Sequence, residues 1–346
     1  MNTHEFLSND GRAVLLLCSA FGLADEQKQS GASPFTLTEW NELALQIQSS
    51  PLKTPAAMLD RSAAEIAATL SLAADEAQRI ADLLGRAGHV VLELENLFSR
   101  GMWAVTRVDE QYPAKLRDTL KHQAPTVLFG GGDIGLLRRA GLAVVGSRDI
   151  DAAGIAFAQE VGRKAAAAKR PVVAGGARGT DRLAMQAALE AGGQAFGVLA
   201  DSLERTFRQA DVRQFLLEGQ LVLLTPYAPT AGFSVGAAMG RNKIIYGLAE
   251  HAVVVSSDFQ TGGTWAGAVE ALKAGWCPVF ARAGDGVPKG NCELIKKGAL
   301  ALDEGELGRI DDLPAWLGKA AVPGPAQADL FGAPASEGSK RRKQRS

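Results

Sequence analysis

Between Leu142 and Asp181 the hydrophobic pattern changes period twice. A short apolar run, Leu142-Ala143-Val144-Val145, stops at Gly146-Ser147-Arg148. Apolar residues at helical spacing follow (Ile155, Ala158, Val161, Ala165), and a second run, Val172-Val173-Ala174, stops at Gly175-Gly176-Ala177-Arg178-Gly179-Thr180-Asp181. This predicts strand, crossover helix and strand, with a small-residue turn carrying an arginine at each strand's carboxyl end. The alternation continues through a helix over 183–191 with Met185 and Leu189 inward, a strand over 194–200, a short helix over 211–217 and a strand over 221–224. A Pro/Gly/Ala-rich loop over 226–240 then leads to Arg241-Asn242-Lys243, a strand over 251–256, a helix over 265–274 and a last strand over 277–281. Strands alternating with helices argue an α/β fold with a doubly wound, parallel, extended Rossmann-like sheet.

Upstream, residues 1–100 read as a small all-helical domain. A first helix falls over 10–21. Thr36-Leu37-Thr38-Glu39 has the form of a capping box, opening a helix with Trp40, Leu43, Leu45 and Ile47 as its apolar content. A helical pair over 62–72 and 74–87 places Ile66, Leu70, Ile80, Leu83 and Leu84 at core spacing. Such a bundle could contact DNA, bind a partner or simply pack; no basic face is visible, which favours packing. Residues 101–109 predict a first strand, and a helix after Tyr112-Pro113 holds Leu116 and Leu120. The domain so begun is expected over 101–305, and a flexible tail over 306–346.

Gly130-Gly131-Gly132-Asp133-Ile134-Gly135 matches the dinucleotide-binding pattern G-x-G-x-x-G literally. The next strand starts at Leu142, which leaves no room for a crossover helix, so a loop is the better reading and no nicotinamide or flavin site is expected.

Composition changes the picture little. At 346 residues, 47% hydrophobic and 22% charged, the chain has material for a sizeable core. The net charge is −1, yet the last ten residues carry five cations against Glu337, or +4, which leaves −5 for everything before them. Any nucleic-acid binding therefore rests on a local patch. Cys18, Cys277 and Cys292 are too scattered for a disulfide framework, and His4, His89, His122 and His251 for a metal site, so neither metal nor cofactor is expected. The apolar stretch over 13–23 is too short for a membrane span and follows Glu5 and Asp10 where a signal peptide would be basic; a buried helix is expected there, in a cytoplasmic protein.

The candidate chemistry lies in the turns. In an open parallel sheet the carboxyl edge binds ligands, and helix amino termini there offer free N–H groups to anions. Gly146, Ser147 and Arg148, with Gly175, Gly176, Arg178 and Gly179, form one expected phosphate cradle; Arg241, Asn242 and Lys243 extend it. Gly262, Gly263 and Thr264, opening the helix that holds Glu270, add a second anion cup. One or two of the cations could instead pair with Asp149 or Asp181, and Asp181 could orient Arg178 or cap its helix. Trp265, Phe233 and Tyr246 are candidate stacking platforms. No constellation of His, Cys or carboxylates has catalytic spacing.

The blocks GSR, GGARGTD and Gly240-Arg241-Asn242-Lys243-Ile244-Ile245-Tyr246-Gly247-Leu248, with Tyr112-Pro113-Ala114-Lys115-Leu116 and Val127-Leu128-Phe129-Gly130 upstream, resemble the signature blocks of the DNA-processing protein A (DprA/Smf) family over roughly 103–302. The resemblance implies a groove for single-stranded DNA lined by these motifs, with no catalysis. It further implies protection of the strand, loading of the recombinase RecA in transformation or recombination, and pairing as a homodimer.

Two other readings stay open. Gln260-Thr261-Gly262-Gly263-Thr264 resembles the Gly-Gly-x-Gly-Thr-x-x-Glu motif of LOG-type phosphoribohydrolases of the same superfamily, which cleave nucleoside monophosphates. Here no glycine separates Gly263 from Thr264, and Glu270 comes six residues after Thr264 rather than three, nearly two helical turns along. A nucleotide-signal sensor in a defence pathway would suit the same cradle. In the tail, Gln327-Ala328-Asp329-Leu330-Phe331 is similar to the Q-x-x-L-F motif that docks the bacterial sliding clamp, Leu330 and Phe331 entering an apolar pocket while Gln327 hydrogen-bonds; a chance apolar pair is the alternative. The basic end over 340–345 could add phosphate contacts or only solubility.

Overall fold

The computed structural model describes residues 7–23 and 33–322. Its strands are β1 (Met102–Thr106), β2 (Val127–Gly131), β3 (Gly141–Gly146), β4 (Val172–Ala174), β5 (Ala195–Val198), β6 (Leu221–Thr225), β7 (Ala249–Ser256), β8 (Val279–Ala283) and β9 (Leu300–Asp303). They form one sheet among the described residues, in the order β1-β2-β6-β5-β4-β3-β7-β8-β9. From β6 to β9 every pair is parallel, whereas β2 runs antiparallel to both β6 and β1. The parallel part is the doubly wound sheet expected, and its strand order reverses at β3, which lies between β4 and β7.

Alternation along each strand divides the core. Leu142, Val144, Val172, Ala174, Val253 and Val255 belong to one buried cluster, and Ala143, Val145, Val173, Ala252 and Val254 to another. Side chains of period two point to opposite faces, and both faces are covered by helices, as parallel sheets require. Helices α1 (Asn9–Cys18), α2 (Leu37–Ser49), α3 (Ala63–Leu70), α4 (Ala74–Leu84) and α5 (Ala87–Ser99) share the first cluster with β1 and β2. The amino-terminal helices thus bury their apolar faces in the same core as the sheet. Past α6 (Ala114–Leu120) come α7 (Ala152–Ala167), which lies on the first face with α8 (Thr180–Glu190), and the short α9 (Leu203–Phe207) and α10 (Ala210–Leu217). The second face is covered by α6, α11 (Val235–Gly247), α12 (Gly262–Ala274) and α13 (Lys289–Lys296).

Local signals hold where they are strongest. The capping box expected at Thr36/Glu39 is complete, and the structure adds a second at Ser62/Glu65. The glycines of the G-x-G-x-x-G match serve packing: β2 ends at Gly131, a 3-10 turn follows, and a Cβ on Gly130 would lie 2.3 Å from the Trp103 ring. The structure departs from expectation in four places. The expected 226–240 loop gives way at Val235 to α11, so Arg241, Asn242 and Lys243 sit inside a helix. Leu45 and Ile155, expected inward, are 64% and 37% exposed. The strand β9 follows β8, which is therefore not the last. Beyond 305 the chain continues as α14 (Glu304–Arg309) and α15 (Leu313–Ala320), whose Leu307, Leu313 and Leu317 are buried in the first cluster, so a flexible tail does not begin at 306. No helix among the described residues is long and apolar enough to cross a membrane.

Candidate nucleic-acid interface

The strand order places the carboxyl ends of β3 and β7 side by side where the winding reverses, the crevice that open α/β sheets use for ligands. Two turns interlock at this edge. Thr180 donates its backbone N–H and its hydroxyl to the Ser147 carbonyl at 3.3 and 3.1 Å, and Ser147 donates its own N–H to the Ser256 carbonyl at 2.9 Å. A Cβ on Gly146 would fall 2.3 Å from Thr180 Oγ1. At Gly179 (φ +86°) one would fall 2.3 Å from the Arg148 carbonyl oxygen. Both glycines are required by close approach, and at Gly179 by the left-handed backbone as well.

Arg241 reaches this edge from α11 and is only 7% exposed. Its Nη2 donates to the Gly175 carbonyl at 3.3 Å and its Nη1 to Asn242 Oδ1 at 3.1 Å. The nearby Asp181, itself buried, accepts the Gly175 N–H at 2.9 Å. Burial pushes the Asp181 carboxyl up, while the Arg241 guanidinium and the N–H groups of Gly175, Gly146 and Ala177 pull it back. Asp181 therefore supports the Gly175 turn beside Arg241 and does not orient Arg178. No side-chain cap from Asp181 closes α8 either, whose N-cap is Gly179.

Two cavities of about 580 and 380 Å³ open at this edge and share Arg148, Ala177, Phe233, Ala238 and Arg241 as their common wall. Arg148 lies 5.6 Å from the centroid of the Phe233 ring, a cation–π stack that keeps the guanidinium between the cavities. The smaller cavity covers the reversal point and takes in Gly146, Ser147, Asn242, Gly262, Gly263 and Thr264. Asn242 holds the start of α12 by donating from Nδ2 to the Gly263 carbonyl at 3.1 Å. The N-cap of α12, Thr261, makes no side-chain cap, so the first N–H groups of that helix are left for a ligand. Arg241 Nε and Tyr246 Oη, buried on residues lining this cavity, have no hydrogen-bond partner among the described residues. Free helix N–H groups and a guanidinium suit an oxyanion bound at the backbone.

Most of the expected residues are brought together here, with Gly175, Gly176 and Arg178 on the larger cavity. Lys243 is not. It lines neither cavity, and its ammonium is pulled down by burial with Glu270 opposing. Arg178 pairs with Asp149 at 2.7 Å, but both side chains are more than three-quarters exposed, so the pair is screened by solvent and weak. Trp265 and Tyr246 are buried and unavailable for stacking, whereas Phe233 is half exposed. Glu270 also lines neither cavity. Asp258 and Ser257 on the smaller cavity, and Arg182 on the larger, were not singled out by sequence; they follow turns whose position depends on strand order. Among the described residues no group of three or more His, Cys, Asp or Glu could hold a metal ion. Gln327, Leu330, Phe331 and the basic end lie outside the described residues.

The sequence pattern of the family described as DNA recombination-mediator protein A matches residues 103–307. DNA processing protein DprA of Streptococcus pneumoniae is 30% identical over 203 residues, which is 58% of this chain and 70% of that protein. Its Bacillus subtilis counterpart is 27% identical over 208 residues, 59% of this chain and 69% of that one. Among solved structures, S. pneumoniae DprA superposes with a TM-score of 0.65 at 23% identity, covering 87% of this chain and 97% of that one. DNA processing protein A of Helicobacter pylori, studied for its single-stranded DNA binding mode, gives 0.50 at 20% identity over 63% of this chain and 94% of that one. The match spans β1 through β9 and every turn of the interlocked edge, and the chain belongs to the DNA recombination-mediator protein A family.

Proposed function

We propose that this protein binds single-stranded DNA at the β3/β7 edge and performs no chemistry on it. The observation that carries the reading is the convergence of Arg148, Arg241 and the uncapped amino terminus of α12 on adjoining open cavities. Phosphate contacts of this kind are sequence-independent, and the half-exposed Phe233 supplies a face on which a base can rest. The cradle is a shallow edge of turns with no nucleophile–base pair in it. Glu270, the carboxylate that a phosphoribohydrolase would need, is exposed and neighbours Lys243 away from both cavities, which counts against hydrolysis. In keeping with the single-strand binding studied for the H. pylori protein, the bound strand would be protected and handed to RecA, with a homodimer as the acting form and the segment over 327–331 docking the sliding clamp.

The test is competition. A labelled single strand bound by the full chain should be displaced by unlabelled single strand far better than by duplex or by any nucleoside monophosphate. Displacement by a monophosphate at equal concentration, or release of free base from it, would replace this reading with a mononucleotide one.

A further inference from the structure

The larger cavity has features that a phosphate cradle does not need. It runs from the arginine turns onto the first face of the sheet, between α8 and α10. Its floor is Gly197 on β5, its cross-strand partner Leu223 on β6, and Leu199 just past β5, its walls Met185 and Leu189 from α8 and Val212 and Phe215 from α10. Over eight residues α10 buries no side chain fully, so this helix leaves the sheet face partly uncovered. The result is a cavity of about 580 Å³ in all, apolar over this face of the sheet and charged at its mouth, within the range of pockets built for small ligands.

Charge around it is mixed. Arg148, Arg178 and Arg241 enter from the turns after β3 and β4 and from α11, and Arg182 from α8, while Glu190 ends α8, Asp201 follows β5 and Asp211 opens α10, where it pairs with Arg182 at 3.5 Å. Asp201 pairs in turn with Arg205, so these charges largely compensate one another, and a neutral planar group suits the apolar walls. Gln209, whose side chain has no partner among the described residues, offers an amide donor and acceptor to its edge.

We propose that the cavity between α8 and α10 receives a nucleobase of the strand whose phosphate lies at Arg148. This rests on the single-strand reading above and adds to it a base-binding compartment, entered past the Arg148–Phe233 stack. Bound strand is then gripped at two kinds of point, backbone at the β3/β7 edge and base over β5 and β6.

The experiment compares an oligothymidylate with an abasic phosphodiester strand of equal length and charge, each titrated into full-length protein and into Val212→Trp. Val212 is half-buried on α10, and tryptophan there fills the cavity from its loosely packed side. Wild type should bind the abasic strand about tenfold more weakly, the scale of one well-placed base. Val212→Trp, with an unchanged melting temperature, should lose that preference and leave abasic affinity as it was. Equal affinity of wild type for the two strands overturns the inference without any variant. So does a folded Val212→Trp that keeps the preference, the result expected if an apolar peptide were the occupant or if Phe233 alone read the base. No binding of either strand would remove the single-strand reading itself, and the base compartment with it.

Discussion

Arg241 lies so close over Gly175 that a Cβ added there would come within 1.9 Å of its Nη2, while the Gly175 carbonyl accepts that same nitrogen at 3.3 Å. The peptide of Gly175 thereby joins two buried charges, since its N–H donates to Asp181. Gly175→Ala should displace Arg241 and cost about 1–3 kcal/mol of stability by overpacking. Urea denaturation would measure it, together with weaker binding of a single strand. An alanine variant of wild-type stability and affinity would show that Arg241 has another seat of equal energy.

Lys243 and Arg148 should separate cleanly. Sequence groups Lys243 with Arg241, but the helix α11 turns it away from both cavities and towards Glu270. Lys243→Ala is expected to change single-strand affinity by less than about twofold, the level of a remote charge. Arg148→Ala should weaken it severalfold. Parallel titrations at one salt concentration decide the matter.

Asp109 fastens the amino-terminal helices to the sheet. Its carboxylate accepts Ser8 N–H and Oγ–H at 2.9 and 2.7 Å and Thr106 N–H and Oγ1–H at 2.8 and 2.6 Å. Asp109→Ala leaves these donors without their acceptor and should cost roughly 3 kcal/mol, read by chemical denaturation.

Glu39 gives the fold a signature at acid pH. The Arg79 guanidinium at 2.8 Å, then the N–H and hydroxyl of Thr36, hold its carboxyl at about 2, below its ordinary 4.5. A depressed carboxylate stabilises above its unfolded value and loses that contribution as pH falls through the folded one. Stability of the wild type should therefore decline between pH 4.5 and about 2 more steeply than that of Glu39→Gln. The difference is modest because the pair is partly solvated. Parallel curves for the two proteins across that window would show the pair to be without effect.

What could be read in the sequence followed physical locality. The β3–α7–β4 unit is legible because apolar runs, helical spacing and glycine turns coincide there, and the capping box at Thr36 is purely local. The helix α11 was hidden by Gly236 and Gly240 and by an amino-terminal half that exposes Val235 and Met239 at the cavity rim. In α5, exposed Val91 and Leu92 blur the apolar stripe. The helices after β9 are only six and eight residues long, too short to show a helical stripe, and depend on the rest of the fold for burial. Likewise, Arg241 was legible as a cation of the site but not as a buried one. Its seat over Gly175 is a contact between residues 66 apart in sequence.

The most direct measurement is the salt dependence of single-strand binding by wild type and Arg148→Ala. Wild type should prefer single strand to duplex, with the logarithm of its affinity falling linearly with the logarithm of salt concentration. Arg148→Ala should flatten that slope by about 0.7, the release of one counterion from single-stranded DNA. A slope identical in the two proteins, or equal affinity for duplex, would contradict the placement of the strand at the β3/β7 edge.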